Sequence, residues 1–239
     1  MTTACVTMDM DWASESAINF AIDYFEVRGI PLTLFTTHRS DQVKLACTRH
    51  EVGLHPFFGS GSDHGDSVEA VIQAVQQLDH NISAFRCHRF ATSNENMEKL
   101  AAAGMKACSN VCTDLEVVTP FRNRCGLLEV PIYMEDGSYL RNGHSLDDAG
   151  CLTQGALSSA PRVLLIHPMH IRLNSPSFEF MRSIKDRLGK RDWNSLSASD
   201  LSSMENKGRG IRDLLGEALS GFSSYVRFSD SCQPLSIRT

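Results

Sequence analysis

Residues 4–36 read ACVTMDMDWASESAINFAIDYFEVRGIPLTLFT, and this stretch decides the architecture. The apolar run 4–8 reads as a strand that passes directly into Asp9-Met10-Asp11-Trp12. Ser14 can then cap a helix, on which Ile18, Ala21, Ile22 and Phe25 recur at i, i+3, i+4 and i+7. Gly29 and Pro31 stop that helix, and residues 31–36 form a second strand. A strand, a helix and a strand in this order make a βαβ unit, whose crossover pairs the two strands in parallel.

The same alternation continues outward. A third strand ends at Leu54-His55, followed by a Gly-, Ser- and aromatic-rich loop over 56–65. Asp66 is placed to cap a helix whose apolar face is Val68, Val71, Ile72, Val75 and Leu78. Residues 83–87 read as a strand, 92–103 as a helix stopped by Gly104, and 105–108 as another strand. Residues 127–131 and 162–166 complete the clear strands. Between them, 136–159 is polar and Gly-rich and reads as irregular. Helices are expected over 178–188 and 211–222, with 195–203 a loop or a short extra helix. Strands alternating with helices imply an α/β fold. With no internal repeat and no low-complexity linker, one domain over residues 1–239 is the expectation.

Composition narrows the function classes. The chain is 42% hydrophobic with a formal net charge of −5, so it offers no basic stripe for nucleic acid. No apolar run is long enough to predict a transmembrane segment. The first residues carry neither a positive n-region nor an apolar h-region, which predicts a cytoplasmic protein. Eight scattered cysteines without a C-x-x-C pair are expected to be reduced and to pack as small apolar side chains.

Ligand-type residues cluster just after the strand runs. Asp9 and Asp11 follow the first strand and His55 the third; Arg86 and His88 adjoin the strand at 83–87, and His167 and His170 follow 162–166. In a parallel barrel these ends share the face where loops build the active site. Asp9 and Asp11 point to the same side of an extended segment. One could ligate a cation while the other takes a proton from water; the bland alternative is an acidic first helical turn. His50, His55 and His64 lie within one short stretch, and two imidazoles with a carboxylate form a common open metal site. His167 or His170 could serve as a general acid.

In these motifs the sequence resembles the polysaccharide deacetylase family, the NodB-homology group of carbohydrate esterases, over most of the first 170 residues. Thr7-Met8-Asp9-Met10-Asp11 is similar to the first family motif in its D-x-D form. His50-Glu51-Val52-Gly53-Leu54-His55 matches the second, although Gly59 stands where the family places its second ligand histidine. Phe85-Arg86-Cys87-His88 supplies the arginine of the third motif without its usual continuation, and Val163-Leu164-Leu165-Ile166-His167 is similar to the fifth. The resemblance implies a distorted, incomplete (β/α) barrel of about seven parallel strands. It also implies a divalent cation, Zn²⁺ first and Co²⁺, Ni²⁺ or Fe²⁺ as alternatives, held by Asp11, His55 and His64, with His50 the fallback for His64. Asp9 becomes the base, aimed by Arg86, and His167 the acid. His88, Tyr133, His170 and Trp12 remain for substrate contact, and the fourth-motif region around Leu128 to Tyr133 is expected to form a pocket wall. The implied reaction removes an acyl group from an amino sugar of a polysaccharide or a surface-glycan precursor. The alternatives are hydrolysis of a small amide or ureide, and a catalytically inactive carbohydrate-binding relative.

Overall fold

The computed structural model describes residues 2–154, 160–188 and 190–232. The first strand, β1 (Thr3–Asp9), is buried along almost its whole length. Burial of successive residues, whose side chains alternate between the two faces, marks a strand covered on both. It pairs in parallel with β2 (Leu32–Thr36) on one side and with a later strand over Arg162–Ile166 on the other. The intervening helix, Glu15–Glu26, is capped by the Ser14 hydroxyl, which accepts from Ala17 N–H, and buries Ala17, Ile18, Ala21, Ile22 and Phe25.

Eight further strands complete the sheet in chain order: β3 (Glu51–Leu54), β4 (Ala84–Phe85), β5 (Ala107–Cys108), β6 (Phe121–Arg122), β7 (Leu128–Glu129), β8 (Ile132–Glu135), β9 (Arg162–Ile166) and β10 (Ser224–Tyr225). Their spatial order is β6-β7-β5-β4-β3-β2-β1-β9-β8, with β10 added beside the start of β1. All pairings are parallel except β6 with β7. Cys112, just beyond β5, makes a parallel bridge to Ile132 of β8, so the two flanks of the sheet curl toward each other. The result is the expected distorted, incomplete (β/α) barrel.

Gly53 shows how tightly the strands sit. A Cβ there would stand 2.6 Å from the Ala84 carbonyl oxygen and 2.9 Å from the Phe35 ring, so no larger residue fits without displacing backbone. The Phe35 ring in turn lies under the Arg86 guanidinium, 4.5 Å from its centroid. Gly53 therefore sets the packing of the ring beneath Arg86.

Several sequence expectations need correction. The helix at Val68–Gln76 is capped by Ser67, not Asp66: its hydroxyl accepts from Ala70 N–H. The stretch expected to be irregular holds helices at Asp136–Arg141 and Gly150–Thr153, while residues 155–159 lie outside the described residues. Polarity hid the first of these helices. Its Asp136 and Ser138 are buried because they are hydrogen-bonded, and the Glu135 carboxylate caps it by accepting from Ser138 N–H at 2.8 Å. The 195–203 region resolves to a helix at Ala198–Met204 closed by a Ser197–Asp200 capping box. The helix Asp41–Ala46 and the strands β6, β8 and β10 have no counterpart in the sequence reading. All eight cysteines are free thiols. Among the described residues, no helix is long and apolar enough to cross a membrane.

Candidate active site

Parallel strands end on one face, and the chemistry-bearing residues collect there. Asp9 closes β1, and His55, Arg86 and His167 immediately follow β3, β4 and β9. Past β1 the chain turns sharply: Asp11 and Trp12 take φ of 43° and 54°, and Ala13 N–H donates to Met10 O at 2.8 Å. Two successive non-glycine residues in the left-handed region are strained, and such strain concentrates at functional sites.

Arg86 is wholly buried and every arm of its fork is engaged. Nη1 donates to Asp9 Oδ1 at 2.8 Å, Nη2 to Thr7 Oγ1 at 3.0 Å and Ser109 Oγ at 2.9 Å, and Nε to Ser109 O at 3.0 Å. This fixes the Asp9 carboxylate, whose Oδ2 lies 3.6 Å from His55 Nε2.

Asp11 is the centre of the site. Its Oδ1 accepts from His55 Nε2 at 3.1 Å and His88 Nδ1 at 3.0 Å, and its Oδ2 is 3.6 Å from His167 Nε2. Burial works against the Asp11 carboxylate, yet the bonds from His55 and His88 hold it well below the usual carboxylate range. One ligand atom from each of Asp11, His55 and His88 lies within 4.8 Å of the others. One carboxylate and two imidazoles are a donor set suited to a borderline divalent cation with an open position for water. His55 Nδ1 is buried without a hydrogen-bond partner.

The structure brings His88 to this group and places His64 elsewhere. Both His64 ring nitrogens serve the backbone: Nε2 donates to Thr37 O at 2.7 Å, and Nδ1 accepts from Phe57 N–H at 3.1 Å. The His64 ring stacks on Trp12 at 5.5 Å between centroids. His50 is equally committed, with Nε2 on Glu26 at 2.8 Å and Nδ1 accepting from Leu32 N–H. A side chain at Gly59 would run into the Phe57 ring, with a Cβ 2.2 Å from Cε2. That ring packs edge-on against His88, 4.9 Å between centroids, as does Trp12 at 5.2 Å. The aromatic loop thus fills the space near position 59 and braces the histidine that arrives from the 3₁₀ turn after β4.

The far side is organised by a residue that sequence reasoning missed. Asp136, fully buried, accepts from the His167 backbone N–H at 2.7 Å and from its Nδ1 at 2.6 Å. Burial disfavours the imidazolium, but Asp136 with Asp11 and Glu135 lifts the His167 pKa to about 10. His170, one turn on, is driven down to about 4, first by burial and then by the neighbouring His167 charge. Glu135, Asp136 and His167 also converge, but Asp136 and His167 are committed to each other, which makes them an ion pair rather than a cradle. A cleft of about 150 Å³ opens beside Asp11, Glu135, His167 and His170. Tyr133 does not line it: this side chain is nearly buried, lies beneath Arg162 and donates to Cys151 O at 2.9 Å. The fourth-motif region likewise turns inward, where the buried Glu129 accepts from Val111 N–H at 3.1 Å and Cys108 Sγ at 3.0 Å.

A curled parallel sheet with carboxylates and imidazoles at its C-terminal edge defines a barrel-type hydrolase scaffold. The family model described as WbmS-like polysaccharide deacetylase matches residues 6–185, and the chain belongs to that family. Its fold is that of a Bordetella bronchiseptica protein, a proposed polysaccharide deacetylase involved in O-antigen biosynthesis. The two are 20% identical with a TM-score of 0.74, over 91% of this chain and 89% of that one. A proposed polysaccharide deacetylase from Mycobacterium smegmatis is also similar, at 14% identity and a TM-score of 0.50, over 97% and 88% of the two chains. No curated protein matches.

Proposed function

We propose that the protein is a metal-dependent deacetylase that removes an N-acyl group from an amino sugar of a glycan or glycan precursor. The observation that carries this reading is the arrangement around Asp11: Asp9 on one flank, the His167–Asp136 pair on the other, and His55 and His88 between. Asp11, His55 and His88 would hold the cation, with His88 in the place expected for His64. Bound there, a divalent cation supplies Lewis acidity, polarising the acyl carbonyl and making water acidic enough to attack near neutral pH. Zn²⁺ suits this donor set best, and Co²⁺, Ni²⁺ or Fe²⁺ would also be accepted.

The protein's own groups divide the proton work. Asp9, aimed by Arg86, takes the proton from the attacking water. His167, kept protonated by Asp136, gives a proton to the departing amine as the tetrahedral carbon collapses. His170 packs beside His167 in the cleft and Trp12 beside His88, and both are assigned to substrate contact. The O-antigen connection of the Bordetella relative supports a surface-glycan precursor as the substrate class, which a cytoplasmic enzyme would meet before export. The test is acetate release from N-acetylated amino-sugar oligosaccharides and sugar precursors, with wild type and Asp9→Asn compared alongside a cyclic ureide. Acetate release by wild type and its loss in the variant supports the proposal. Turnover of the ureide alone, or equal turnover by the variant, overturns it.

A further inference from the structure

The cleft beside His167 carries a charge pattern that the hydrolysis itself does not use. Its floor is acidic, but the acids there are occupied. Asp11 accepts from His55 and His88, and Glu135 accepts from Ser138 through both backbone N–H and hydroxyl. Its lip carries two cations, Arg141 and Lys185. Both are exposed, and among the described residues neither has a carboxylate within 4.0 Å. By contrast, the solvent-facing Arg209 and the partly buried Arg212 are paired, with Glu217 and Glu205.

Both cations stand on elements that aim them at the cleft. Lys185 shares a helix face with Phe178 and Met181, at i, i+3 and i+7, and all three line the cleft. The Lys185 ammonium sits 5.0 Å from the centroid of the Trp193 ring, which also lines the cleft. A cation–π contact of this kind places the charge without neutralising it. Arg141 ends the short helix that begins with Asp136, the partner of His167. Five residues of helix advance about 7.5 Å along the axis. Arg141 therefore stands more than one helical turn beyond Asp136 and lines the same cleft as His167.

The geometry points to an anionic substrate. The sugar that presents its acyl group to Asp9 and His167, or the unit next to it, carries a carboxylate or phosphate that Arg141 and Lys185 receive. Phe178 and Trp193 supply the apolar wall for the ring. Arg141 can grip such a group with two parallel N–H bonds and Lys185 as a point charge. This inference rests on the deacetylase reading and narrows its substrate class to an acidic amino sugar (a uronate) or a sugar phosphate, including nucleotide- or lipid-linked forms.

The test is calorimetric binding of three probes to the full chain: N-acetylglucosamine, its 6-carboxylate (the uronic acid) and N-acetylglucosamine 1-phosphate. Wild type is compared with the Arg141→Gln/Lys185→Gln double variant and with each single variant. At least one anionic probe is expected to bind wild type tenfold or more tightly than the neutral sugar. That advantage should be lost in the double variant and should shrink with added salt. Preference for the uronate assigns a carboxylate as the natural group, and preference for the 1-phosphate assigns a phosphate. No preference for either anion, binding of none of the probes, or an advantage that survives in the double variant overturns the inference. The two readings fail separately: acetate released equally from neutral and anionic sugars sinks only the anion preference, whereas no acetate from any sugar sinks the deacetylase reading.

Discussion

Replacing Asp136 by asparagine removes the carboxylate that holds His167 without changing its size. The wild-type carboxylate accepts two hydrogen bonds, one from the His167 backbone and one from Nδ1. Asparagine has a single acceptor oxygen. If that oxygen keeps the backbone N–H, the amide NH₂ faces Nδ1, and the ring must give up its Nδ1 proton to accept from it. His167 then becomes neutral and cannot serve as the acid. Its wild-type pKa stands at about 10 against an ordinary 6.5. At ~1.36 kcal/mol per unit this is roughly 5 kcal/mol in favour of the imidazolium, with Asp136 the leading attractive contributor. Asp136→Asn should therefore cost about 3 kcal/mol of stability at neutral pH and lower turnover by on the order of 10²–10⁴.

The pH dependence gives the sharper signature. Because the folded-state pKa of His167 is raised, its stabilisation is complete below pH 6.5 and is lost as pH rises toward about 10. The variant lacks most of that contribution, so the stability gap between the two proteins should narrow steadily from pH 7 to pH 9. Urea melts of chelator-treated protein measure this gap with no cation competing for Asp11. A gap that stays constant across that range, or a variant with undiminished turnover, would refute the role given to Asp136.

Three further outcomes are expected. His88→Ala should weaken zinc binding by more than the ~10–100-fold typical of outer-shell partners, while His64→Ala should stay within it; competition against a chromophoric zinc chelator separates the two, and equal losses would show that His64 is a ligand after all. Arg86→Gln should destabilise by roughly 3–5 kcal/mol in urea melts, because it leaves the buried Asp9 carboxylate without its counter-charge. Arg86→Lys should recover little of that, since one ammonium cannot span Asp9, Thr7 and Ser109 at once; full recovery would mean that charge alone suffices.

Much of the fold could be read in advance because it rests on local periodicity. Ile18, Ala21, Ile22 and Phe25 specify a helix by spacing alone, and the strands flanking it are short runs rich in apolar and β-branched residues. Asp9, Asp11, His55, Arg86 and His167 were visible because parallel strands deliver residues that follow them to one face. What escaped depends on contacts distant in sequence. The Asp136–His167 pair spans 31 positions, and the helix that begins with Asp136 is polar because its side chains find buried partners. By sequence His64 is the substitute for the histidine missing at Gly59, yet both its ring nitrogens bond to backbone, and His88, packed against Phe57 and Trp12, is the histidine that reaches Asp11. Two-residue strands such as β4 and β5 carry too little pattern for their bounds to be read from sequence.

The central claim is that one divalent cation sits among Asp11, His55 and His88, and anomalous diffraction from crystals grown with zinc tests it most directly. The account predicts one strong peak about 2.0–2.2 Å from His55 Nε2, His88 Nδ1 and an Asp11 oxygen. A peak among Glu135, Asp136 and His167, a peak on His64, or no peak at all would contradict it.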